Sequence, residues 1–238
     1  MPEPTRYSRI RHGVRVSLRK VAIIGAGGFG REVLDIFDAI NAVEPTYDVV
    51  GFIVDPEYGS PGTVVNAKLI LGGFEWLAGR QNDVELICAV GAPELRLRMV
   101  QRAYSLGARF CSVRHPTVVA SQWLSVGVGS ILAAACVLTN QIRIGSHVQV
   151  NLDCTIGHDC TLDNFVTVAP GVHISGNVTI GEGAFVGTGA NLLERVKIGR
   201  WAVVGAGSTV RDEVPPNSVV VGLPARVIKN RGAGWHLA

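Results

Sequence analysis

Charged residues are scarce in this sequence, and long apolar runs are absent. Asp, Glu, Lys and Arg make up 17% of the 238 residues, and no apolar run is long enough to cross a membrane. Hydrophobic residues make up 47%, which is enough apolar material for a substantial core. The composition therefore predicts a globular protein without a transmembrane segment, of a length that allows one large domain or two modest ones.

Cysteine occurs five times, and no two cysteines form a C-x-x-C pair. An odd number without paired spacing does not indicate a disulfide framework or a redox motif. Cys136 and Cys154 lie eighteen residues apart, and Cys160 follows six residues later, so we interpret all three as small apolar residues of a core. Free thiols of this kind favour a location in the reducing cytoplasm.

The net charge of +3 is concentrated at the N-terminus, where residues 1–20 carry six basic side chains against Glu3 alone. Such a stretch is able to bind nucleic acid or an anionic membrane, but a disordered leader is the simpler interpretation. The stretch also lacks the apolar segment of a secretory signal. We therefore interpret residues 1–19 as a basic, disordered leader and expect no nucleic-acid partner.

An unbroken six-residue period is the main positive feature of the sequence. A hexapeptide repeat is the signature of a β-helix, in which each hexad supplies a short strand and a turn. Three hexads close one triangular coil, so residues eighteen apart stack on neighbouring coils, and residues 126–215 suffice for five coils. No insertion interrupts the run, so we expect no lid loop within it. The inward phase is occupied by fifteen aliphatic residues: Val126, Leu132, Leu138, Ile144, Val150, Ile156, Leu162, Val168, Ile174, Ile180, Val186, Leu192, Ile198, Val204 and Val210.

The segment before the repeat predicts a small nucleotide-binding domain. An apolar strand at residues 21–24 runs into the glycine-rich turn Gly25–Gly30 and then into a helical pattern, the context that a G-x-G-x-x-G motif requires. Such a turn lets a phosphate approach the N-terminus of the helix. Asp55 ends the next strand and is a candidate for a ribose or base contact. About 95 residues are too few for a complete dinucleotide fold, so we predict a half-sized α/β domain for a mononucleotide; a turn used only for tight packing is the alternative.

Histidine is rare, and three of the six histidines lie in the repeat. His158 occupies the outward third position of its hexad with Asp159 beside it, and an imidazole at such a rigid corner can accept a proton near neutral pH. Gly176 lies eighteen residues further on, where the missing side chain leaves a gap for a thin substrate arm. His147 and His173 have no acidic neighbour in sequence and are predicted to lie on the surface.

A solvated corner histidine is the alternative interpretation of His158. A metal site would need histidines that converge on one face of the coils. The three histidines of the repeat instead occupy three different phases of the hexad, so we expect no metal.

Together these motifs resemble a known family, the bacterial left-handed β-helix sugar acyltransferases. This family comprises sialic acid O-acetyltransferases of the NeuD type and nucleotide-4-amino-sugar N-acetyltransferases of the PglD type. The resemblance extends from about residue 20 to residue 229. It rests on the glycine turn Gly25–Gly30, the link His115–Pro116, the segment Asn151–Gly176 and the ending Val221–Arg226.

The resemblance implies the fold, an α/β half-Rossmann-like domain followed by a left-handed parallel β-helix. It also implies an acetyl-CoA-dependent N-acetyltransferase acting on a UDP-, dTDP- or GDP-linked 4-amino sugar for bacterial glycan biosynthesis, assembled as a homotrimer with active sites between chains. His158 would be the general base, Asp159 its support, and Asn151 part of the same pocket. The implied CoA contacts are main-chain groups around Gly176, Thr188 and Ala206. The implied nucleotide contacts are Gly25, Gly27, Gly28, Asp55, Gly91 and Arg96.

Two departures from the family pattern concern the substrate. Phe29 stands in the glycine turn where members often have histidine, and Thr167 replaces a histidine that some relatives have near the CoA thiol. An O-acetyltransferase of the sialic acid type, another β-helix O-acetyltransferase, and a non-enzymatic oligomerisation module are the alternatives. We predict a leader at residues 1–19, an α/β domain at 20–112, a β-helix at 113–214 and a C-terminal tail at 215–238.

Overall fold

A computed structural model describes residues 17–237. Most of the basic leader at residues 1–19 therefore lies outside the described residues. The described chain forms an α/β domain followed by a parallel β-helix, so the predicted succession of folds is confirmed. Neither α-helix of this part of the chain has the length and apolarity that a bilayer crossing requires.

The α/β domain is a six-stranded sheet with one α-helix packed on each side. Strand β1 is central, and its alternating residues pack Val21 and Ile23 against one helix and Ala22 and Ile24 against the other. In chain order the elements are β1 Arg19–Ile24, α1 Gly28–Val43, β2 Tyr47–Ile53, β3 Val64–Val65, β4 Lys68–Gly72, a 3₁₀ helix Phe74–Leu77, β5 Glu85–Cys88, α2 Pro93–Ser105 and β6 Arg109–Phe110. The strand order is β3-β4-β2-β1-β5-β6, with every pairing parallel except that of β3 with β4.

The β-helix consists of short strands that visit three faces in strict rotation. In chain order they are β7 Val113–Arg114, β8 Val119–Ala120, β9 Leu124–Val126, β10 Ile131–Leu132, β11 Val137–Leu138, β12 Ile142–Ile144, β13 Gln149–Val150, β14 Thr155–Ile156, β15 Thr161–Leu162, β16 Thr167–Val168, β17 His173–Ile174, β18 Thr179–Ile180, β19 Phe185–Val186, β20 Asn191–Leu192, β21 Lys197–Ile198, β22 Val203–Val204 and β23 Thr209–Val210. The first face begins with β7, the second with β8 and the third with β9, and every third strand continues the same face.

Stacking between coils follows the predicted spacing of eighteen residues. Thr155, for example, pairs with Val137 on the preceding coil and with His173 on the next. The inward aliphatic residues from Leu132 onwards form one continuous buried core, whereas Val126 on the first coil is 39% exposed because no earlier coil covers it. The inward cysteines of the repeat are buried in this core, as their spacing predicts.

The turns of the β-helix share one backbone feature: the left-handed conformation lies at the fourth position of the hexad. All fourteen successive fourth-position residues from Gly129 to Gly207 have a positive φ, and only five of them are glycine. Bulky residues such as Phe165 and Trp201 adopt this conformation because the ladders on both sides of the turn fix the backbone.

The predicted C-terminal tail at residues 215–238 is not a separate segment, so that boundary is wrong. Strand β24, Ser218–Gly222, pairs in parallel with β22 and continues the first face of the prism. Strand β25, Ala225–Asn230, then pairs with β24 in antiparallel fashion at the edge of this face. The buried core of the prism therefore continues to Val220, which is 3% exposed and pairs with Val204 although it lies outside the six-residue phase.

Arg96 joins the two domains, and its predicted role as a nucleotide contact is wrong because its side chain is fully buried. The guanidinium donates hydrogen bonds of 2.6–3.3 Å to acceptors in both domains. The acceptors are the carbonyls of Val90, Gly91, His147, Phe165 and Val166 and the side-chain oxygens of Gln149 and Thr167. Burial lowers the pKa of Arg96 to about 10, so it remains charged at neutral pH.

We expect Arg96→Ala to lower the free energy of unfolding by about 3 to 5 kcal/mol, because several buried acceptors lose their donor at once. Gln101→Ala, on the exposed side of the same helix, is the control and should change the free energy of unfolding by about 0.5 kcal/mol or less. Denaturant unfolding at a fixed protein concentration measures both. If Arg96→Ala lowers the free energy of unfolding by less than about 1 kcal/mol, the guanidinium is not the main interdomain contact.

Candidate active site

His158 and Asp159 form an exposed pair at a corner of the prism. The Nδ1 atom of His158 lies 2.8 Å from the Oδ2 atom of Asp159, and the two side chains are 59% and 53% exposed. Asp159 is a fourth-position residue with φ of +60°. An acceptor at Nδ1 favours the tautomer that carries its proton there, which leaves the lone pair of Nε2 free towards solvent. The pair thus presents a proton acceptor on a rigid turn.

Gly176 lies directly against the imidazole of His158, as the eighteen-residue spacing predicts. A Cβ atom on Gly176 would lie 2.7 Å from both Cε1 and Nε2 of the ring. The predicted gap for a substrate arm at this position is therefore wrong, because the imidazole itself occupies the space. The glycine instead allows the ring to rest on the neighbouring coil, and this support restricts its orientation.

The site residues inferred from the resemblance lie on two different corners. The first corner follows the first face and carries Asn151, Thr188 and Ala206, whereas the second corner follows the second face and carries His158 and Gly176. The Oδ1 atom of Asn151 accepts a hydrogen bond of 2.9 Å from the main-chain N–H of the next residue. A single chain therefore places the second face between Asn151 and His158 and does not bring their side chains together.

The glycine turn divides into a packing part and an open part. A Cβ atom on Gly30 would collide with the carbonyl of Gly25, whose φ is +98°, so these two glycines are required for close packing. Cβ atoms on Gly27 and Gly28 would meet nothing within 4 Å. Helix α1 begins at Gly28, and the residue that caps it, Gly27, offers no side-chain acceptor to the first N–H groups. The open part therefore presents main-chain donors suited to a phosphate.

The other nucleotide-binding candidates lie beside this turn. Asp55 follows β2 and Gly91 follows β5, the two strands that flank β1, so all three segments meet at the carboxyl edge of the sheet. The carboxylate of Asp55 accepts a hydrogen bond of 2.8 Å from Arg102 of α2, whose guanidinium also lies over the ring of Phe74. The Gly91 carbonyl accepts from Thr167, which fixes this loop against the first face.

His147 is buried, so its predicted surface location is wrong. Its side chain is covered because α2 and β6 pack Tyr104 and Phe110 on the corner that follows the third face. The ring stacks on Phe165 of the next coil, and its Nε2 lies 3.0 Å from the hydroxyl of Tyr104. Burial and the charge of Arg96 lower the pKa of His147 to about 4, so it is neutral at physiological pH.

Thiol and metal chemistry have no prepared site in residues 17–237. All five cysteines are buried, and burial raises the pKa of Cys88 and of Cys111 to about 12. Within the same residues no three His, Cys, Asp or Glu side chains lie together in a group able to hold a metal ion. The His158–Asp159 pair is the candidate for proton transfer because its geometry supports an exposed imidazole.

Comparison with known proteins finds relatives that span both domains. A family described as the PglD N-terminal domain matches residues 20–103, and one described as the bacterial transferase hexapeptide (six repeats) matches residues 177–212. GDP-perosamine N-acetyltransferase from Escherichia coli is 28% identical over 212 residues, which cover 87% of this chain and 95% of that protein.

Two solved structures show the same arrangement of domains. The acetyltransferase domain of PglB from Neisseria gonorrhoeae is 31% identical with a TM-score of 0.80, and the match covers 88% of this chain and 100% of that one. PerB from Caulobacter crescentus, solved in complex with CoA and GDP-perosamine, is 25% identical with a TM-score of 0.80, covering 91% of this chain and 100% of that one. The likeness therefore includes the glycine-turn domain and the corner that carries His158.

The buried His147 should make stability depend on pH. Its pKa is about 4 in the folded protein and about 6.5 in the unfolded chain, so the unfolded state binds the extra proton as the pH falls below about 6.5. We expect this group to remove up to about 3 kcal/mol of stability between pH 7 and pH 4. Unfolding free energies across this range, compared with those of His147→Asn, measure the effect.

Asn is the matched replacement because it tolerates the left-handed backbone at this position, where φ is +56°. The wild type and His147→Asn share all other titrating groups, so only the slopes of unfolding free energy against pH need to be compared. Equal slopes for the two proteins would contradict the burial of a neutral imidazole.

Proposed function

Because the chain belongs to the PglD-like family of sugar acetyltransferases, we propose that it transfers the acetyl group of acetyl-CoA to the amino group of a nucleotide-linked 4-amino sugar. One observation carries the proposal: the chain combines an exposed, supported imidazole at His158 with an open glycine turn at Gly27 and Gly28. The relative from Escherichia coli is a GDP-perosamine N-acetyltransferase, which favours an amine over a hydroxyl as the acceptor.

In the proposed reaction the sugar nitrogen attacks the thioester carbonyl carbon. A C–N bond forms, the C–S bond breaks, and CoA leaves as the thiolate. The Nε2 atom of His158 takes the proton that the nitrogen loses, and Asp159 stabilises the resulting imidazolium. Main-chain groups of Gly176, Thr188 and Ala206 would hold the CoA chain. Since a neutral amine is already a good nucleophile, alignment of the two substrates supplies much of the rate.

The nucleotide would bind at the carboxyl edge of the α/β sheet. The open N-terminus of α1 at Gly27 and Gly28 is suited to the diphosphate. Gly25 shapes the turn, Gly91 lies on one side of it, and Asp55 on the other side remains the candidate for the ribose or base. We place the enzyme in the cytoplasm, in keeping with its five free thiols.

The geometry of one chain favours a site shared between chains. The α/β domain covers the first face, where Val113, Ile131 and Ala133 join its core. The second corner, which carries His158, lies opposite the first face in a triangular prism. The glycine turn and the imidazole of the same chain are therefore on different sides of the molecule. A homotrimer, in which each chain offers its second corner to the domain of a neighbour, would complete three sites.

We expect His158→Ala to lower the turnover number by about 10² to 10⁴, equivalent to roughly 3 to 5 kcal/mol of transition-state stabilisation. The measurement is acetyl transfer to a panel of UDP-, dTDP- and GDP-linked 4-amino sugars. Folding and acetyl-CoA affinity should change little, because the side chain points out of the prism.

The control is His173→Ala, since this exposed imidazole contacts Thr155 on the second face and lies away from the corner. It should retain most of the turnover. Near wild-type turnover of His158→Ala on its best acceptor would reject the general base, and absence of transfer by the wild-type protein to every acceptor would reject the proposed function.

We expect Gly28→Asp to raise the KM for the nucleotide sugar at least about tenfold, because a carboxylate at the start of α1 repels the diphosphate. The side chain has room, and an acid at this position favours the helix, so the protein should fold. Gly28→Asn, which has the same size without the charge, is the matched control. Equal KM values for the two variants would show that no phosphate binds at this turn.

A further inference from the structure

The first coil leaves one end of the β-helix uncovered. The inward side chains of later coils are buried between their neighbours, whereas Val126 on the first coil is 39% exposed and Leu124 is only partly buried. Val128 and Trp123 on the same coil are 44% and 58% exposed. We call the surface formed by Arg114, Trp123, Leu124, Val126 and Val128 the open end. Exposed apolar residues that are grouped on one surface indicate a contact with another molecule.

An arginine stands at the open end where later coils have an aliphatic residue. Arg114 pairs with Leu132 in the ladder, so it occupies the inward phase of the repeat on the first coil. It lines a cavity of about 370 Å³ together with Leu124, Val126 and Leu132. The side chain is exposed and makes no hydrogen bond or ion pair with any group of residues 17–237. The open end therefore presents an unpaired positive charge beside apolar side chains.

The charged side chains of the first two coils are all of one sign. Residues 113–148 contain Arg114 and Arg143 and no Asp or Glu. The first acidic side chain of the β-helix is Asp153, on the third coil. A surface without carboxylates attracts anions, because no neighbouring group of opposite sign cancels its field.

The start of the described chain lies on the same side of the molecule. Ser17 and Arg109 line one cleft at the amino edge of the α/β sheet, and three basic and two acidic side chains line this cleft. Ser112, three residues after Arg109, donates a hydrogen bond of 2.9 Å to the carbonyl of Gly127 on the first coil. The sixteen residues before Ser17 contain four arginines and one glutamate. Their positive charge therefore joins the described chain near the open end.

We propose that the open end docks on a bilayer surface that contains anionic lipids. Arg114 binds a lipid phosphate, and Trp123, Val126 and Val128 rest against the apolar layer just below the headgroups. The first strand of each face is the outermost strand of its sheet, so backbone polar groups face this side and keep the open end out of the hydrocarbon. The docking does not depend on the proposed function, because it requires neither acetyl-CoA nor a nucleotide sugar.

Charge and apolarity together favour a lipid surface over other occupants. Two copies that met end to end would bring Arg114 side chains of the same sign together, which opposes that contact. A nucleic acid would match the charge, but its phosphate backbone offers no apolar layer to Val126 and Val128. An anionic bilayer surface meets both requirements.

The test measures co-sedimentation of the full chain with vesicles of phosphatidylcholine, alone or with about 30% phosphatidylglycerol. We expect the wild type to bind the anionic vesicles only, and to bind them less at about 0.5 M salt than at about 0.1 M. Arg114→Glu should lower the vesicle partition coefficient at least about tenfold, because repulsion replaces attraction. The matched control is Arg200→Glu, which makes the same change of charge at an exposed residue of the fifth coil and should stay within about twofold of the wild type.

Trp123 provides a second measurement. Anionic vesicles whose headgroups carry a fluorescence quencher should quench the tryptophan emission of the wild type. Trp123→Phe should lose most of this quenching, because Trp123 is the tryptophan of the first coil, and it should still bind the vesicles within about threefold of the wild type.

Absence of wild-type binding to anionic vesicles, equal binding to both kinds of vesicle, or an equal loss for Arg114→Glu and Arg200→Glu would overturn the docking surface. Without vesicle binding, an assembly that Arg114→Glu dissociates would assign the open end to a second copy, and retention on a DNA duplex would assign it to nucleic acid. Thermal unfolding verifies the fold of each variant. If Arg114→Glu does not fold, Arg114→Gln decides, with an expected loss of about fivefold.

Discussion

The hydrogen-bond ladder between successive coils is the constraint on which the rest of the structure depends. It fixes a repeat of eighteen residues, and it holds non-glycine residues such as Asp159 and Trp201 in a left-handed backbone. Every side chain on a corner therefore has a defined neighbour one coil away. The imidazole of His158 rests on Gly176 for this reason, so the catalytic candidate gains its orientation from the coil rather than from a separate loop.

The same ladder produces flat faces, and one of them carries the α/β domain. The guanidinium of Arg96 crosses that interface and reaches carbonyls of both domains. The guanidinium also helps to fix the loop at Gly91 against the prism. A rigid junction of this kind determines the side of the prism on which a nucleotide sugar would be presented. It also places the glycine turn on the side opposite the corner of His158.

Sequence periodicity predicts the repeating features of the β-helix, but it predicts few of the contacts between the two domains. The coil length, the inward core, and the contact between His158 and Gly176 follow from counting residues, since the register of a β-helix is exact in sequence. The burial of His147 and Arg96 does not follow, because it arises where α2 packs on a corner that carries no local signal. A histidine at the fourth position of a hexad has the same sequence pattern whether or not another domain covers it.

The central claim is that each active site combines the imidazole of one chain with the nucleotide-binding domain of another. Mixing His158→Ala with Gly28→Asp tests it most directly, at a nucleotide-sugar concentration far below the KM of Gly28→Asp, where both variants have low activity. Native mass spectrometry with one isotope-labelled variant verifies that mixed trimers form. If sites lie between chains, random equal mixing should restore about one quarter of the wild-type activity, because that fraction of sites pairs an intact imidazole with an intact domain. If mixed trimers form and the activity stays at the sum of the separate variants, each site belongs to a single chain and the account is contradicted.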